Sequence, residues 1–152
     1  MSARNHSRHP RGQALAEFAL VAPLLFLLIF GIIEFGRFIF SYEVLNNATR
    51  EGARYAIVHG SNSLCPSGPM PGGATSPSSC ADPSGAAVKA QVVNNAFTLG
   101  VTPSQVAVSW PDVDNGRGHD VQVLTTYTFR TIIPLPIPAI GMTARSTLVI
   151  NY

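Results

Sequence analysis

Charged side chains are scarce in this 152-residue chain: 12% of residues, against roughly 25% in an average globular protein. Only two cysteines and four histidines are present. They are scattered, which leaves little material for a metal or catalytic cluster. No Ser-His-Asp or Cys-His constellation stands out, and His59 and His119 read as isolated loop or surface residues. The sequence therefore points away from an enzyme and implies no cofactor. The basic charge is also confined. Arg4, Arg8 and Arg11 sit in the first eleven residues, with His6 and His9 between them and no acid. From Gln13 onward seven basic residues meet eight acidic ones, a balance of −1. A nucleic-acid partner requires Lys and Arg spread over a folded face, so this placement argues against a nucleic-acid partner. The length suits one small domain.

What the chain does have is a long apolar run. Residues 18–33, FALVAPLLFLLIFGII, carry no charged or strongly polar side chain. Ala14, Leu15 and Ala16 extend the run backward, interrupted only by Glu17. About 20 apolar residues in a helix cross a bilayer core. A soluble core helix would show a polar stripe, and this run shows none. A cleaved secretory signal would end in small residues, whereas Glu34, Phe35, Gly36, Arg37 and Phe38 follow here. The reading is a transmembrane segment over residues 14–36, with the lipid bilayer as its first partner. The positive-inside rule places Arg4, Arg8 and Arg11 in the cytoplasm and everything after about residue 37 outside. Six of the eight Phe lie between Phe18 and Phe40, followed by Tyr42, as expected near a membrane interface.

Nothing after Ile33 stops a helix until Gly60, Ser61 and Asn62. Residues 13–59 thus predict one helix of about 70 Å, kinked at Pro23. Its outer half is amphipathic: Leu45, Ala48, Gly52, Tyr55 and Ala56 lie near one face, with Asn46, Asn47, Arg50 and Arg54 on others. Ala48, Gly52 and Ala56 form a ridge of small residues. Such a ridge packs against the chain's own sheet or against a sister helix in an assembly.

Residues 60–152 form the outer domain. Its first part, residues 60–86, is a loop in which 17 of 27 residues are Gly, Pro or Ser. That loop holds Cys65 and Cys80, and outside the cytoplasm such a pair reads as a disulfide. No His or further Cys lies nearby to make a metal site. Asp82 then suits an N-cap, Pro83 the first position of a short helix, and Gly100 its C-terminal end. Alternating patterns predict three antiparallel strands, around Val106–Val108–Trp110, Val121–Phe129 and Ala144–Ile150, the last ending at Tyr152. Pro134, Pro136 and Pro138 stiffen the connection before the third. In residues 112–120 the acids Asp112, Asp114 and Asp120 suggest a calcium loop, but the EF-hand glycine would fall at Arg117 and its glutamate at Val123. Asn115-Gly116 reads as a hairpin turn instead. The fold class is α+β: a long N-terminal helix continuing into a small domain with a short helix and about three antiparallel strands.

The segment RGQALAEFALVAPLLFLLIFGIIEFGR, followed by NNATREGARYA, resembles the TadE-like family of pilin-like proteins of the tight-adherence (Flp/Tad) pilus system. The resemblance covers residues 11–58. It implies a type IV prepilin-like leader, residues 1–12, removed by a prepilin peptidase after Gly12. The mature chain would begin at Gln13 and place Glu17 fifth. It also implies other pilin-like subunits and the pilus assembly machinery as partners. The location would be the cytoplasmic membrane, as a single pass with the outer domain outside, or the protein would be pilus-associated or secreted. The competing expectation is an uncleaved anchor that displays the outer domain as a binding or adhesin module.

Overall fold

A computed structural model describes residues 10–76, 78–132 and 138–151. Arg4, His6, Arg8, His9, Pro134, Pro136 and Tyr152 lie outside the described residues, as does the side chain of Arg11. Helix α1 spans Pro10–Val58 and α2 spans Ala86–Asn95. Strands β1, β2 and β3 span Val106–Ser109, Asp120–Phe129 and Ile140–Val149. Single 3₁₀ turns occur at Pro71–Gly73, Phe97–Leu99 and Pro103–Gln105. The chain divides into two compact units, Met1–Arg37 and Phe38–Tyr152, and α1 contributes to both.

In the first unit α1 begins at Pro10, three residues before the expected start, and runs through Pro23 without interruption. Proline suits the first helical turn, because its missing N–H has no acceptor there anyway. Leu15, Phe18, Leu20, Leu24, Phe26 and Ile32 are all exposed. An apolar surface all round suits hydrocarbon and not water. Among the described residues α1 is the one helix long and apolar enough to cross a membrane.

In the second unit α1 becomes amphipathic and is buried along Leu45, Ala48, Thr49, Gly52, Ala53 and Ala56. These residues recur at three- and four-residue steps, the spacing of one helix face. The sheet is antiparallel in the order β1-β2-β3. Val108 lies opposite Val123, and Thr125 opposite Ala144. Its inner face supplies Val106, Val121, Val123, Phe129, Met142 and Ala144 to the core. α1 meets that face directly. Phe38 packs edge-to-face on Phe129 with centroids 5.5 Å apart. Thr49 donates to the carbonyl of Leu45 at 2.7 Å and shares a 2.9 Å hydroxyl bond with Thr125. That pair satisfies the buried hydroxyls, which would otherwise be costly to bury.

Beyond the early start of α1, the other elements depart from expectation in several places, and β3 begins at Ile140, four residues before Ala144, and ends at Val149. α2 starts at Ala86 and not at Pro83, because Gly85 adopts a left-handed conformation (φ +68°) and delays the first turn. α2 ends at Asn95, and Gly100 closes the following 3₁₀ turn. β1 stops at Ser109, one residue before Trp110.

Candidate processing and assembly segment

Gly12 and Gln13 lie in the first turn of α1, and Glu17 about one turn further on. A Cβ on Gly12 would meet nothing within 4 Å, so the fold itself does not demand glycine there. Gln13 Nε2 donates to Glu17 Oε1 at 3.2 Å, an i to i+4 contact on the exposed surface. The helix thus already sets the Gln13 and Glu17 positions on one face. At the far end of the apolar run, Arg37 Nη1 lies 2.7 Å from Glu34 Oε2. In the sequence, the i to i+3 spacing of Glu34 and Arg37 is the signal for this pair.

The small ridge lies inside the second unit. Ala48, Gly52 and Ala56 are buried, but the neighbour of Gly52 is α2 and not the sheet. A Cβ built on Gly52 would lie 2.3 Å from Val92 Cγ2 and 3.6 Å from the Val88 carbonyl. Glycine is therefore required for α1 and α2 to approach. Thr49 and Ala53 widen the buried stripe beyond the residues the sequence singled out.

Cys65 and Cys80 form a disulfide, with Cα atoms 5.1 Å apart. Between them the loop is tied at several points. The Gly68 N–H donates to the Asp82 carbonyl at 2.8 Å, and the Asp82 N–H to the Pro66 carbonyl at 2.9 Å. Asn115, fully buried, clamps the same loop. Its N–H donates to the Pro69 carbonyl at 2.7 Å, its side-chain amide to the Ser67 carbonyl at 3.1 Å, and its carbonyl accepts from the Ser61 N–H at 3.0 Å. Gly68 (φ +108°) lies against the Trp110 ring, where a Cβ would approach to 2.4 Å.

Residues 110–119 do form the hairpin loop between antiparallel β1 and β2, but no tight turn forms at Asn115-Gly116. Positive φ falls at Val113 (+79°) and Gly118 (+88°), not at Gly116. The acids of residues 112–120 are engaged locally. Asp112 accepts from the Asp120 N–H at 2.8 Å, and Asp114 accepts from the Gly116 N–H and pairs with His119 Nδ1. His119 is thus not isolated. His59 stacks on Tyr55 with centroids 3.9 Å apart, and its Nδ1 lies 2.8 Å from the Tyr55 carbonyl. Among the described residues no group of three or more His, Cys, Asp or Glu could hold a metal.

Asp82 links the loop to α2. Burial alone would raise its carboxyl. Hydrogen bonds from the Ala87 N–H, the Ser84 hydroxyl, the Ala86 N–H and the Ser67 hydroxyl outweigh that and hold it below its usual 3.8. The folded value is depressed, so the carboxylate adds stability above the unfolded value and loses it as pH falls through the folded one. We expect the melting temperature to fall below about pH 4, and Asp82→Asn to flatten that acid limb. An unchanged acid limb in thermal melts of the variant would contradict this assignment.

No curated protein and no solved structure matches this chain. Residues 12–54, from the candidate cleavage position through the buried ridge at Gly52, match the family model described as TadE-like protein, and this segment of the chain is TadE-like.

Proposed function

We propose that the protein is a pilin-like subunit of a Tad-type pilus system, held in the membrane by α1 and incorporated in or required for pilus assembly. The observation that carries this reading is a coincidence of position. The TadE-like match takes in the section of α1 whose surface is apolar all round, and Glu17 stands near its start. A prepilin peptidase would cut after Gly12 and release residues 1–12. Cleavage needs an extended backbone, and the Gly12–Gln13 bond lies in the first helical turn. Unwinding there costs little, because first-turn N–H groups have no intrahelical acceptor. Glycine adds conformational freedom and no side chain to obstruct the peptidase.

Cutting creates an amine on Gln13, four residues from Glu17. The i to i+4 relation lets the carboxylate pair with that amine or with the amine of a neighbouring subunit. In an apolar bundle an unpaired ion is costly, so pairing between subunits would set their register. Gln13, Glu17 and the apolar turns that follow form the assembly segment. Ala48, Gly52 and Ala56 serve assembly indirectly, as buried positions of the outer unit, with Gly52 letting α1 approach α2. Other pilin-like subunits, the assembly machinery and the bilayer are the partners. The chain would be a single pass of the cytoplasmic membrane, with the outer unit outside.

Glu17→Ala should permit membrane insertion and cleavage but reduce incorporation, read as co-purification with the pilus apparatus and surface piliation at matched membrane levels. Glu17→Asp, one methylene shorter, should be intermediate. Normal piliation with Glu17→Ala would show that the carboxylate is only a hydrated charge near a helix end.

A further inference from the structure

The two edges of the sheet differ. The β1 edge is short and is used by its own chain. The Val106 N–H donates to the Pro103 carbonyl, and the Trp110 carbonyl accepts from the Val113 N–H. β3 is ten residues long and pairs with β2 in continuous register from Ile140 to Val149. Residue 150 sets the phase of that ladder: the Ile150 N–H donates to the His119 carbonyl at 2.8 Å and its carbonyl accepts from the Gly118 N–H at 2.9 Å. The N–H and C=O of each strand residue point to one side and alternate along the strand. Met142, Ala144, Ser146 and Leu148 therefore bond to β2. Gly141, Thr143, Arg145, Thr147 and Val149 present their backbone groups outward, and no described strand pairs with them.

Proteins commonly blunt such edges with bulges, prolines or several charges, because an open ladder pairs with any extended chain. Within Ile140–Val149 there is no proline, and Arg145 is the one charge. Arg145 is exposed on the outer face of the sheet and has no ion-pair partner among the described residues. We propose that the outer edge of β3 is a docking edge, which receives an extended segment of another polypeptide as a fourth strand with an acidic side chain opposite Arg145.

A second copy of β3 fits poorly. Antiparallel pairing about a two-fold axis at Arg145 sets two guanidinium groups opposite each other, which is unfavourable. It also sends the two outer sections of α1 in opposite directions. α1 runs alongside β3 in the same sense, since Phe38 meets Phe129, opposite Ile140, and the Ile57 carbonyl accepts from the Asn151 N–H at the other end. Chains anchored in one membrane would enter in the same direction. Parallel two-fold pairing fails on phase, because symmetry places one outward-facing residue opposite another, whereas a parallel ladder alternates them. The chemistry left is a heterologous strand: β-forming, extended and acid-bearing.

The test uses the full chain in phospholipid nanodiscs and two blocked synthetic peptides of about seven residues. Both alternate Thr and Val, one with a central Glu and the other with a central Lys. Amide exchange is followed residue by residue by NMR. In the free protein the Arg145 and Thr147 amides should exchange at least about tenfold faster than those of Ala144, Ser146 and Leu148. The Glu peptide should slow Arg145 and Thr147 by about tenfold at saturation and bind about fivefold more tightly than the Lys peptide. Thr147→Pro removes an outward N–H and no β2 bond. It should abolish peptide protection while Ala144 and Ser146 stay protected. Arg145→Glu should reverse the preference. Slow exchange at Arg145 and Thr147 in the free protein would overturn the proposal, as would protection that grows with protein concentration alone. So would no protection by the Glu peptide, or binding indifferent to peptide charge and to Thr147→Pro. The readout is independent of leader cleavage and piliation, so it fails or succeeds apart from the function proposed above.

Discussion

Gly52→Val should destabilise the second unit by about 2–3 kcal/mol, the range of an overpacked core. The argument is one of distance. A Cβ at this position would stand 2.3 Å from Val92 Cγ2, well inside contact. Val92 is itself fully buried, and its short branched side chain has little room to turn away. Gly52→Ala is the sharper case, because two effects oppose. Alanine gains about 1 kcal/mol of helix propensity over glycine. The clash with Val92 must exceed that gain, so a net loss of about 1 kcal/mol is expected. Combining Gly52→Val with Val92→Ala should recover part of the deficit, since the two sites share one contact. Denaturant melts followed by the single tryptophan, Trp110, would measure all three. Wild-type stability in Gly52→Val would mean that α1 and α2 do not approach as described.

Replacing both Cys65 and Cys80 by serine should cost about 3 kcal/mol, the chain-entropy figure for a loop of this size. The disulfide closes a sequence separation of 15 through a loop with little apolar side chain to order it. The Asn115 clamp and the Ser67–Asp82 bridge remain in the variant, so unfolding of the loop alone is not expected to detach α2 from α1. Membrane insertion should be unaffected, because it depends on the apolar part of α1. Protein purified without reductant should contain no free thiol. Two free thiols per chain, or an unchanged melting curve in the double serine variant, would contradict this account.

Both predictions draw on features that differ in how visible they were in the sequence. The apolar run, the amphipathic turns after it, the cysteine pair and the three alternating strands each follow from a local pattern with a physical cause. Local patterns mislead where two signals compete or where the decisive contact is remote in sequence. Asp82 and Pro83 together look like a helix start, and Asp82 does bond the Ala87 N–H at 2.7 Å, yet Gly85 inserts a left-handed residue between them and α2. Asn115-Gly116 carries a strong turn signature, but Asn115 is taken up in clamping residues 61, 67 and 69, which no local pattern announces. Trp110 continues the β1 alternation on paper and instead packs on Gly68 and Gly85. In the ridge, small residues at four-residue steps signalled close approach, but spacing alone could not say that α2 would fill it. The processing segment is the reverse case. Spacing and resemblance point to Gly12, Gln13 and Glu17, and the fold adds only the shared helix face of Gln13 and Glu17.

The central claim is that the chain is a processed pilin-like subunit, and the intact mass of the membrane-extracted protein tests it most directly. The protein should be made in cells with a working prepilin peptidase and measured without reduction. The account predicts a chain beginning at Gln13, lighter by residues 1–12, with a further loss of two hydrogens for the Cys65–Cys80 bond. A mass corresponding to the chain from Met1 would contradict it and favour an uncleaved anchor that displays the outer unit.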